Sequence, residues 1–468
     1  MRKLLFLSTV SIYLFSLFSC NSITKADTDR LGKSSRENKN GWIYVHLEGS
    51  PSNIGFQHGY LLADDIDTTL RMMSYFLEQD THKDWSFYRQ AASHFLWGKL
   101  DQEYRDEING IVEGLHAKQK GYDSLDITAL NAMEELAYYY VPQLMNTAVP
   151  GSGNNKAPGN CSAFISTGSY TKDGKIVIGH NNWTPYIVGQ HWNVIADIIP
   201  EKGNHMLMDC MPGFIHSGDD FVISSGGILI TETTITQFRG FDSTGIPEFM
   251  RARKCAQYGN SIDEVIKIFL EGNNGGYAND WLIGDIKTNE VAKLELGLLH
   301  HQVWRSKDTT IIGSNFASDP AVIKDETTFS VSDSTTSPNA RKMRMENLVF
   351  NLKGKLDVET GKQVEADHFD ILHKNNANNK CVICGHIDEE PLGCAEWDLA
   401  AYYPMGAVQG KVTTSDLAKQ MKFWAHMGHP CGQDFIGEPF YKLHPEYQWQ
   451  AKFLTNMIAY PWTLFSAK

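Results

Sequence analysis

A single cysteine lies at the junction between a stretch without apolar periodicity and a β-hairpin. Residues 146–160, which read NTAVPGSGNNKAPGN, have the Pro, Gly and Asn content of a flexible linker. Cys161 follows directly. Residues 162–167 then alternate as a strand, the Asp-Gly pair at 173–174 signals a turn, and residues 175–179 return as a second strand. The local pattern therefore predicts a strand that begins beside Cys161.

The hairpin also predicts which residues lie opposite this cysteine. A loop over residues 168–174 would place Cys161 opposite about Asn181, whereas a two-residue turn would place it opposite Tyr186. Both registers bring the cysteine beside residues 180–186, which read HNNWTPY. We therefore expect Cys161 to meet this segment in space.

A thiol at the end of a mobile linker has a specific chemical use. Its thiolate can attack the carbonyl carbon of Asn160, and hydrolysis of the thioester would cut the chain and leave Cys161 with a new α-amine. Because such an amine has a reference pKa of about 7.7 to 8.0, one residue would then carry both nucleophile and base. The alternative is a buried, inert cysteine that packs as a small hydrophobe.

Helical and strand patterns come in blocks along the rest of the chain. Before the linker, the pattern predicts one strand at residues 42–47 and helices at residues 52–77, 85–98, 101–118 and 126–144. After it, the pattern predicts strands at residues 192–199, 205–210, 221–224, 228–233, 280–286 and 291–296, and helices at residues 261–270, 340–352 and 415–427. Blocks of this kind indicate an α+β or sandwich fold rather than a doubly wound parallel sheet.

The first 40 residues have the pattern of an export signal. Two basic residues precede an apolar run over residues 4–18, which is too short to span a bilayer and is typical of a cleaved signal peptide over residues 1–20. The ending Leu-Phe-Ser-Cys resembles a bacterial lipobox, in which Cys20 would carry the lipid anchor, and residues 21–40 would form a polar tether. The alternative is an ordinary secretory signal in which Cys20 is lost. Both interpretations predict an exported protein, either an outer-membrane or periplasmic lipoprotein or a secreted enzyme.

The overall charge bears on possible partners. A formal net charge of -13 over 468 residues argues against nucleic-acid binding, since phosphate recognition needs a basic face. The membrane is an expected partner only through the N-terminal anchor.

Three cysteines near the C-terminus invite a comparison with metal sites. Cys381, Cys384 and Cys394, with His386 between them, lack the paired Cys-x-x-Cys spacing that is typical of zinc sites. Because export leads to an oxidising compartment, we expect a disulfide between Cys381 and Cys384. Zinc binding and buried thiols are the alternatives, and we expect no metal and no cofactor.

The chain carries an ordered series of short motifs. They are Cys161-Ser-Ala-Phe, His180-Asn-Asn-Trp-x-x-Tyr186, Pro212-Gly-Phe-Ile-x-Ser-x-Asp-Asp-Phe221, Glu232-Thr-Thr234, Gly275-Gly-Tyr-Ala-Asn-Asp-Trp281, Cys381-x-x-Cys384 and Gly406-Ala-Val-Gln-Gly-Lys-Val-Thr-Thr414. This series resembles the phospholipase B-like family. Gly55-Phe-Gln-His-Gly59 and Gly428-His-Pro-Cys431 are similar to motifs of the penicillin acyltransferase-type cysteine enzymes. Both groups are N-terminal nucleophile hydrolases, and the resemblance covers nearly everything from Gly41 onward.

The resemblance implies a fold and an activity. It implies a four-layer αββα sandwich, a mostly helical chain over residues 41–145, a processed linker over residues 146–160 and a catalytic chain over residues 161–468. It also implies cleavage between Asn160 and Cys161, followed by hydrolysis or transfer of the acyl group of a small ester or linear amide. The alternative is a catalytically silent lipoprotein of the same fold that binds a lipid or a bile-acid-like ligand.

The resemblance also suggests roles for individual residues. Cys161 would be the nucleophile, His180 would orient or polarise it, Asn279 would donate to the oxyanion, and Arg341 would steady the site. The alternatives are a satisfied core histidine, a strand-entry cap for Asn279 and an ion-paired helix residue for Arg341. The expected pocket residues are Asn182, Trp183, Tyr186 and Trp281. Asn182 departs from the threonine that is usual in the family, which leaves the substrate open.

Overall fold

The computed structural model describes residues 24–148, 161–218 and 221–468. The predicted signal peptide, the lipobox cysteine Cys20, most of the linker and the predicted cleavage-site residue Asn160 lie outside these ranges.

Nine strands form the large sheet. In spatial order they are β1 (Ser35–Lys39), β2 (Trp42–Gly49), β5 (Val194–Pro200), β6 (Met206–Cys210), β7 (Val222–Ser224), β8 (Ile228–Thr234), β9 (Asn279–Asp285), β10 (Glu290–Leu296) and β11 (His301–Ser306). Neighbouring strands are antiparallel except for β2 and β5, which are parallel. The chain before the linker and the chain after it therefore share one sheet.

Six antiparallel strands form the small sheet. In spatial order they are β12 (Thr309–Gly313), β3 (Cys161–Thr167), β4 (Val177–Pro185), β15 (Met405–Thr414), β16 (Lys422–Met427) and β19 (Thr463–Ser466). Two short ladders complete the strands, β13 (Phe369–Asp370) with β14 (Asn375–Asn376) and β17 (Phe435–Ile436) with β18 (Asn456–Met457). The β3–β4 hairpin lies inside the small sheet, with a neighbour on each side.

The two sheets stack face to face. Ala163 and Ile165 of the small sheet share one apolar cluster with Leu207, Leu229 and Leu282 of the large sheet. Every second residue of a strand points to the same face. The odd-numbered residues of β3 therefore face the large sheet, while Phe164 faces the other way.

Helices cover the outer faces of both sheets. In chain order they are α1 (Lys25–Leu31), α2 (Pro51–Leu61), α3 (Ala63–Thr81), α4 (Trp85–Ala91), α5 (Gln102–Ala117), α6 (Ser124–Asn131), α7 (Met133–Glu135), α8 (Val141–Ala148), α9 (Tyr186–Gly189), α10 (Glu248–Tyr258), α11 (Ile262–Leu270), α12 (Pro320–Glu326), α13 (Ser337–Asn351), α14 (Val358–Glu365), α15 (Ser415–Ala418) and α16 (Gly437–Leu443). Helices α2 to α6 with α10 and α11 pack on the large sheet. Helices α13 and α14 pack on Phe164 and Val177 of the small sheet. The predicted four-layer αββα sandwich is confirmed.

Glycines allow helices α2 and α5 to cross at close range. A Cβ added to Gly59 would lie 2.0 Å from the backbone oxygen of Ile111, and one added to Gly114 would lie 2.4 Å from that of Phe56. Gly55 and Gly110 meet the facing backbone in the same way. The Gly55-Phe-Gln-His-Gly59 motif is thus a packing surface.

The beginning of the described chain differs from the predicted tether. Residues 25–31 form α1, where Arg30 pairs with Glu113 of α5. Residues 35–39 form β1, an edge strand paired with β2, and its Arg36 pairs with Asp65. The polar composition therefore reflects an exposed edge of the fold. Among the described residues, no helix is both long enough and apolar enough to cross a bilayer.

The helix predicted over residues 415–427 is also wrong. The chain forms the single turn α15, turns at Met421 with φ 52°, and then enters strand β16. Phe423, Ala425 and Met427 all point into the core between the sheets. This two-residue period is that of a strand, and it outweighs the helical propensity of the preceding residues.

Candidate active site

The register of the β3–β4 hairpin places Cys161 opposite Asn182. The loop closes with a hydrogen bond from the Gly168 amide to the Gly174 carbonyl, 3.1 Å from nitrogen to oxygen. Asn182 lies inside the predicted segment 180–186, so the predicted meeting is confirmed. Because Cys161, His180 and Asn182 share the parity of Ala163 and Ile178, they lie on the face between the two sheets.

Three side chains that can move protons or attack a carbonyl converge at this face. The Cys161 sulfur, a ring nitrogen of His180 and a carboxylate oxygen of Glu232 all lie within 4.8 Å of one another. All three residues are buried, and the Tyr277 hydroxyl donates to the Glu232 carboxylate at 3.1 Å. Such a set can serve a thiol nucleophile with proton carriers, and its three donors could also hold a divalent ion.

Glu232 was not assigned a role from the sequence. Its only signal was its place in the Glu232-Thr-Thr234 motif, and no local pattern relates strand β8 to the β3–β4 hairpin. The stacking of the two sheets brings it there.

The main chain of Cys161 is held on both sides. Its amide nitrogen donates to Asn315 Oδ1 at 3.2 Å, and its carbonyl oxygen accepts from Arg341 Nη1 at 2.7 Å. Arg341 Nη2 also donates to Asn315 Oδ1 at 2.8 Å, and Nη1 donates to the Ser162 hydroxyl. The arginine and the asparagine thus form one clamp around the first residue of β3.

Asn315 is the second residue that sequence reasoning missed. It has φ 71°, a left-handed conformation that asparagine tolerates better than most residues. Its Nδ2 donates to the Thr234 carbonyl at 2.9 Å, which ties the clamp to strand β8. An asparagine after a strand and before a loop carries no distinctive spacing, so the sequence offered no signal for this contact.

Arg341 contacts the main chain of Cys161, and its role in steadying the site stays a prediction. Its side chain is fully buried in α13, and its guanidinium lies 4.3 Å from the centre of the Trp183 ring. The hydrogen bonds described for it go to neutral acceptors, including Ser337 Oγ at 3.0 Å, so the ion-paired alternative is not what the structure shows. Burial lowers the pKa of Arg341 to about 10, which still leaves the guanidinium charged at neutral pH.

Asn279 is the first residue of β9 and pairs with Thr234 in the large sheet. Its side chain is fully buried, and neither Nδ2 nor Oδ1 has a hydrogen-bond partner among the described residues. Such an amide is costly unless it serves a ligand. The Thr234 carbonyl also accepts from Asn315. The strand that carries Asn279 is therefore the neighbour of the strand that is bonded to the clamp. Its oxyanion role stays a prediction.

Three of the expected pocket residues are not brought together with Cys161. Trp183 lies on the opposite face of β4, where Nε1 donates to the Ile383 carbonyl at 3.1 Å. Trp281 stacks on Phe269 of α11, with ring centres 4.0 Å apart. Tyr186 lies beyond the end of β4 and donates to Asp388 at 2.6 Å. Trp183 points away from Cys161 because side chains alternate along a strand and its neighbour Asn182 takes the face toward Cys161.

The structure does not show the predicted disulfide between Cys381 and Cys384. No disulfide links any two cysteines in the described part of the chain, and Cys381 and Cys384 are both buried thiols. Cys384 instead lies close to His368, His386 and Cys431. His386 belongs to the same loop as Cys384, and the other two residues belong to two different loops.

One cavity in the described part of the chain lies away from the cysteine. It has a volume of about 640 Å³ and lies beside the turn of the β3–β4 hairpin, where Lys175, Ser415 and Asp416 contribute to its wall. Cys161 begins the opposite end of β3. This cavity is therefore not the candidate active site.

A family model described as Phospholipase B matches residues 54–335, more than half of the chain. An uncharacterized protein of Archaeoglobus fulgidus is 22% identical over 402 residues, covering 78% of this chain and 64% of the relative. Phospholipase B-like 1 of Rattus norvegicus is 26% identical over 230 residues, covering 47% of this chain and 40% of the relative. The chain thus spans less than two thirds of the length of these curated relatives.

Among solved structures, a mutant of conjugated bile acid hydrolase from Clostridium perfringens aligns with a TM-score of 0.32 and 9% sequence identity. The alignment covers 57% of this chain and 89% of that one.

Proposed function

This chain belongs to the phospholipase B family, and on that premise we propose that it is a self-processing acyl hydrolase with Cys161 as its N-terminal nucleophile. The observation that carries the proposal is the double hold on Cys161. Asn315 accepts from its nitrogen and Arg341 donates to its carbonyl oxygen, while its sulfur lies with His180 and Glu232. Any buried main chain needs partners for its nitrogen and oxygen, but an inert core cysteine does not need a histidine and a carboxylate beside its sulfur.

The first reaction is cleavage of the chain before Cys161. The sulfur attacks the carbonyl carbon of Asn160 and forms a C–S bond. The C–N bond then breaks as the Cys161 nitrogen takes up a proton. Water hydrolyses the resulting thioester, which leaves a carboxylate on Asn160 and both a thiol and an α-amine on Cys161. His180 and Glu232 are the groups placed to carry the protons.

The new amine then serves the turnover reaction. Its nitrogen, held by Asn315, takes the thiol proton as the sulfur attacks the acyl carbon of an ester or linear amide. The Asn279 amide would stabilise the negative charge on the acyl oxygen. The leaving alcohol or amine departs with the proton, and water hydrolyses the acyl-thioester. A different acceptor in place of water would give acyl transfer.

We also propose that the enzyme acts outside the cytoplasm. This part of the proposal depends on the signal-like residues 1–20, whereas lipidation of Cys20 would decide whether the enzyme is anchored to a membrane. Acyl esters of lipids are then the substrate class that the family description favours.

N-terminal sequencing of the purified protein tests the processing step. We expect a denaturing gel to show two fragments from the wild type, the larger of which begins at Cys161. Cys161→Ala should remain a single chain and release no acyl group from ester or amide substrates. Cys255→Ala, which removes a buried thiol in α10, is the matched control and should be cut normally.

Three outcomes would contradict the proposal. An active, mature protein with an intact bond between Asn160 and Cys161 would remove the proposed base. Cleavage of Cys161→Ala at the same bond would assign the cut to another protease. An uncut protein that binds lipid without turnover would instead support the silent-lipoprotein alternative.

The two proton carriers can be separated by substitution. We expect His180→Gln and Glu232→Gln to slow processing to different extents, because only one of the two side chains would receive the thiol proton. A pre-cut form, made by replacing the linker with an engineered protease site directly before Cys161, would show whether the same residue also limits turnover.

A further inference from the structure

Four metal-ligating side chains meet outside the active site. His368 lies between α14 and β13, Cys384 and His386 lie in the loop after β14, and Cys431 lies in the loop after β16. Their ligand atoms all lie within 4.8 Å of one another. Cys384 and His386 are almost fully buried, and the other two side chains are half-buried. We name these four residues the Cys2His2 cluster.

The distances within this cluster fit a tetrahedral ion. His368 Nε2 and His386 Nε2 are 3.3 Å apart, and His386 Nε2 is 3.7 Å from the Cys431 sulfur. Zinc bonds of about 2.0 to 2.1 Å to nitrogen and about 2.3 Å to sulfur place two nitrogens roughly 3.3 Å apart and a nitrogen and a sulfur roughly 3.6 Å apart at tetrahedral angles. These two distances therefore match those between the ligand atoms of a tetrahedral zinc ion.

We propose that His368, Cys384, His386 and Cys431 bind one Zn²⁺ as a structural site. Two thiolates and two neutral imidazoles form a set that zinc prefers, and four protein ligands leave no open position for a substrate. The two thiolate charges balance the charge of the ion, so the complex is neutral as a whole. A neutral site costs less to bury than an isolated ion.

The local structure shows what such an ion would stabilise. Residues 371–404 contain only the short strand β14 and two single turns, at Ile387–Glu389 and Ala395–Trp397. The ion would join this segment to the loop that follows β16, a strand of the small sheet. The Gln433 amide donates to the Cys431 sulfur at 3.4 Å, the kind of outer contact that supports a metal-bound thiolate.

The same segment supports the clamp around Cys161. The Ile383 carbonyl, next to Cys384, accepts from Trp183 Nε1, and the Trp183 ring lies against the Arg341 guanidinium. A Cβ added to Gly385 would lie 2.0 Å from the Trp183 ring, which shows how closely this loop packs. Loss of the ion should therefore also slow processing. That consequence depends on the proposed function, whereas zinc binding does not.

Metal analysis of the full-length protein tests the proposal. Protein expressed with zinc and dialysed against a weak chelator should retain one zinc ion per chain by inductively coupled plasma mass spectrometry. Cys384→Ser and Cys431→Ser should retain less than about a tenth of that amount, because a site with three ligands holds zinc far more weakly. Cys381→Ser and Cys394→Ser change neighbouring buried cysteines outside the cluster and should retain the full amount.

A measurement on the wild-type protein keeps the proposal testable even if the variants fail to fold. Exchange of zinc for Co²⁺ should give the intense visible bands of a tetrahedral ion and the near-ultraviolet bands of thiolate bonded to cobalt. Alkylation under denaturing conditions should then modify both Cys384 and Cys431.

Three results would overturn the proposal. The first is a folded, processed wild type without stoichiometric zinc and without the cobalt spectrum. The second is a disulfide between Cys384 and Cys431, or between Cys381 and Cys384, in the native protein. The third is unchanged zinc content in both Cys384→Ser and Cys431→Ser. An uncut wild type with full zinc content would contradict the proposed function and leave the zinc site in place.

Discussion

Arg341 donates from Nη1 to the backbone carbonyl oxygen of Cys161 at 2.7 Å, across 180 residues of sequence. The same guanidinium donates to Asn315 Oδ1, which accepts in turn from the Cys161 nitrogen. A planar guanidinium presents separate nitrogens to the two acceptors in one fixed geometry, which the single ammonium nitrogen of a lysine does not. Arg341 therefore acts as a positioning residue, because it orients the main chain from which the sulfur projects.

Replacing this arginine tests the clamp. Arg341→Lys keeps the charge but loses one of the two directed contacts, so we expect kcat to fall roughly 100-fold through misplacement of the nucleophile. KM should change little. The control is Lys342→Ala on the same helix. It removes a cation above the Phe316 ring and should keep normal kinetics. Equal loss of kcat in both variants would indicate a general disturbance of α13.

Asn315 allows backbone and side-chain effects to be separated. Both Asn315→Gly and Asn315→Ala remove the acceptor of the Cys161 nitrogen, so both should lose processing and turnover. Only alanine is also strained at φ 71°, and we expect it to be less stable than the glycine variant by about 1 kcal/mol. Chemical denaturation and N-terminal sequencing measure the two effects. An active Asn315→Gly variant would show that this acceptor is dispensable.

Asn279 should affect activity and stability in opposite directions. Its buried amide has no partner among the described residues, so Asn279→Leu should leave the free energy of unfolding unchanged or raise it. If the amide holds the oxyanion, kcat should fall about 100- to 1000-fold. Kinetics and denaturation of the same preparation provide the test. A destabilised but catalytically normal variant would indicate a structural role.

We expect the buried side chain of His58 to make the protein less stable in acid. Burial lowers its pKa from 6.5 to about 4, and its Nε2 accepts from the Gly213 amide at 3.0 Å. Because the unfolded chain binds this proton at a higher pH than the folded chain, stability is full above pH 6.5 and falls as the pH drops toward 4. We expect His58→Gln to remove about 2 kcal/mol of the wild-type loss between about pH 7 and about pH 5. Equal pH slopes for both proteins in urea titrations would contradict this assignment.

The crossing of α2 and α5 should not accept a methyl group. Gly59→Ala would place Cβ 2.0 Å from a backbone oxygen that cannot rotate away, so we expect a loss of about 1 to 3 kcal/mol. Gly121→Ala adds the same methyl group where no atom lies within 4 Å and should change stability by less than about 0.5 kcal/mol. Thermal and urea unfolding measure both. Equal losses would exclude the close crossing as the cause.

Much of the local structure around the candidate site could be predicted. The alternation of residues 162–167 and the turn at residues 173–174 led to the β3–β4 hairpin and to the meeting of Cys161 with residues 180–186. Hairpin register depends on the turn and on neighbouring residues, which local patterns can show. Local patterns were less reliable where two periods compete, as at residues 415–427.

The sequence by itself determined the hairpin, the position of Cys161 at its start and the block order of helices and strands, because these depend on interactions between near neighbours in the chain. The tertiary structure decided that Glu232, Asn315 and Arg341 reach Cys161, that Trp183 turns away from it, and that Cys384 approaches Cys431 instead of bonding to Cys381. These contacts join segments that are distant in the chain. They exist because two sheets and their covering helices must bury their apolar faces together, and that choice of faces is made only in the assembled fold.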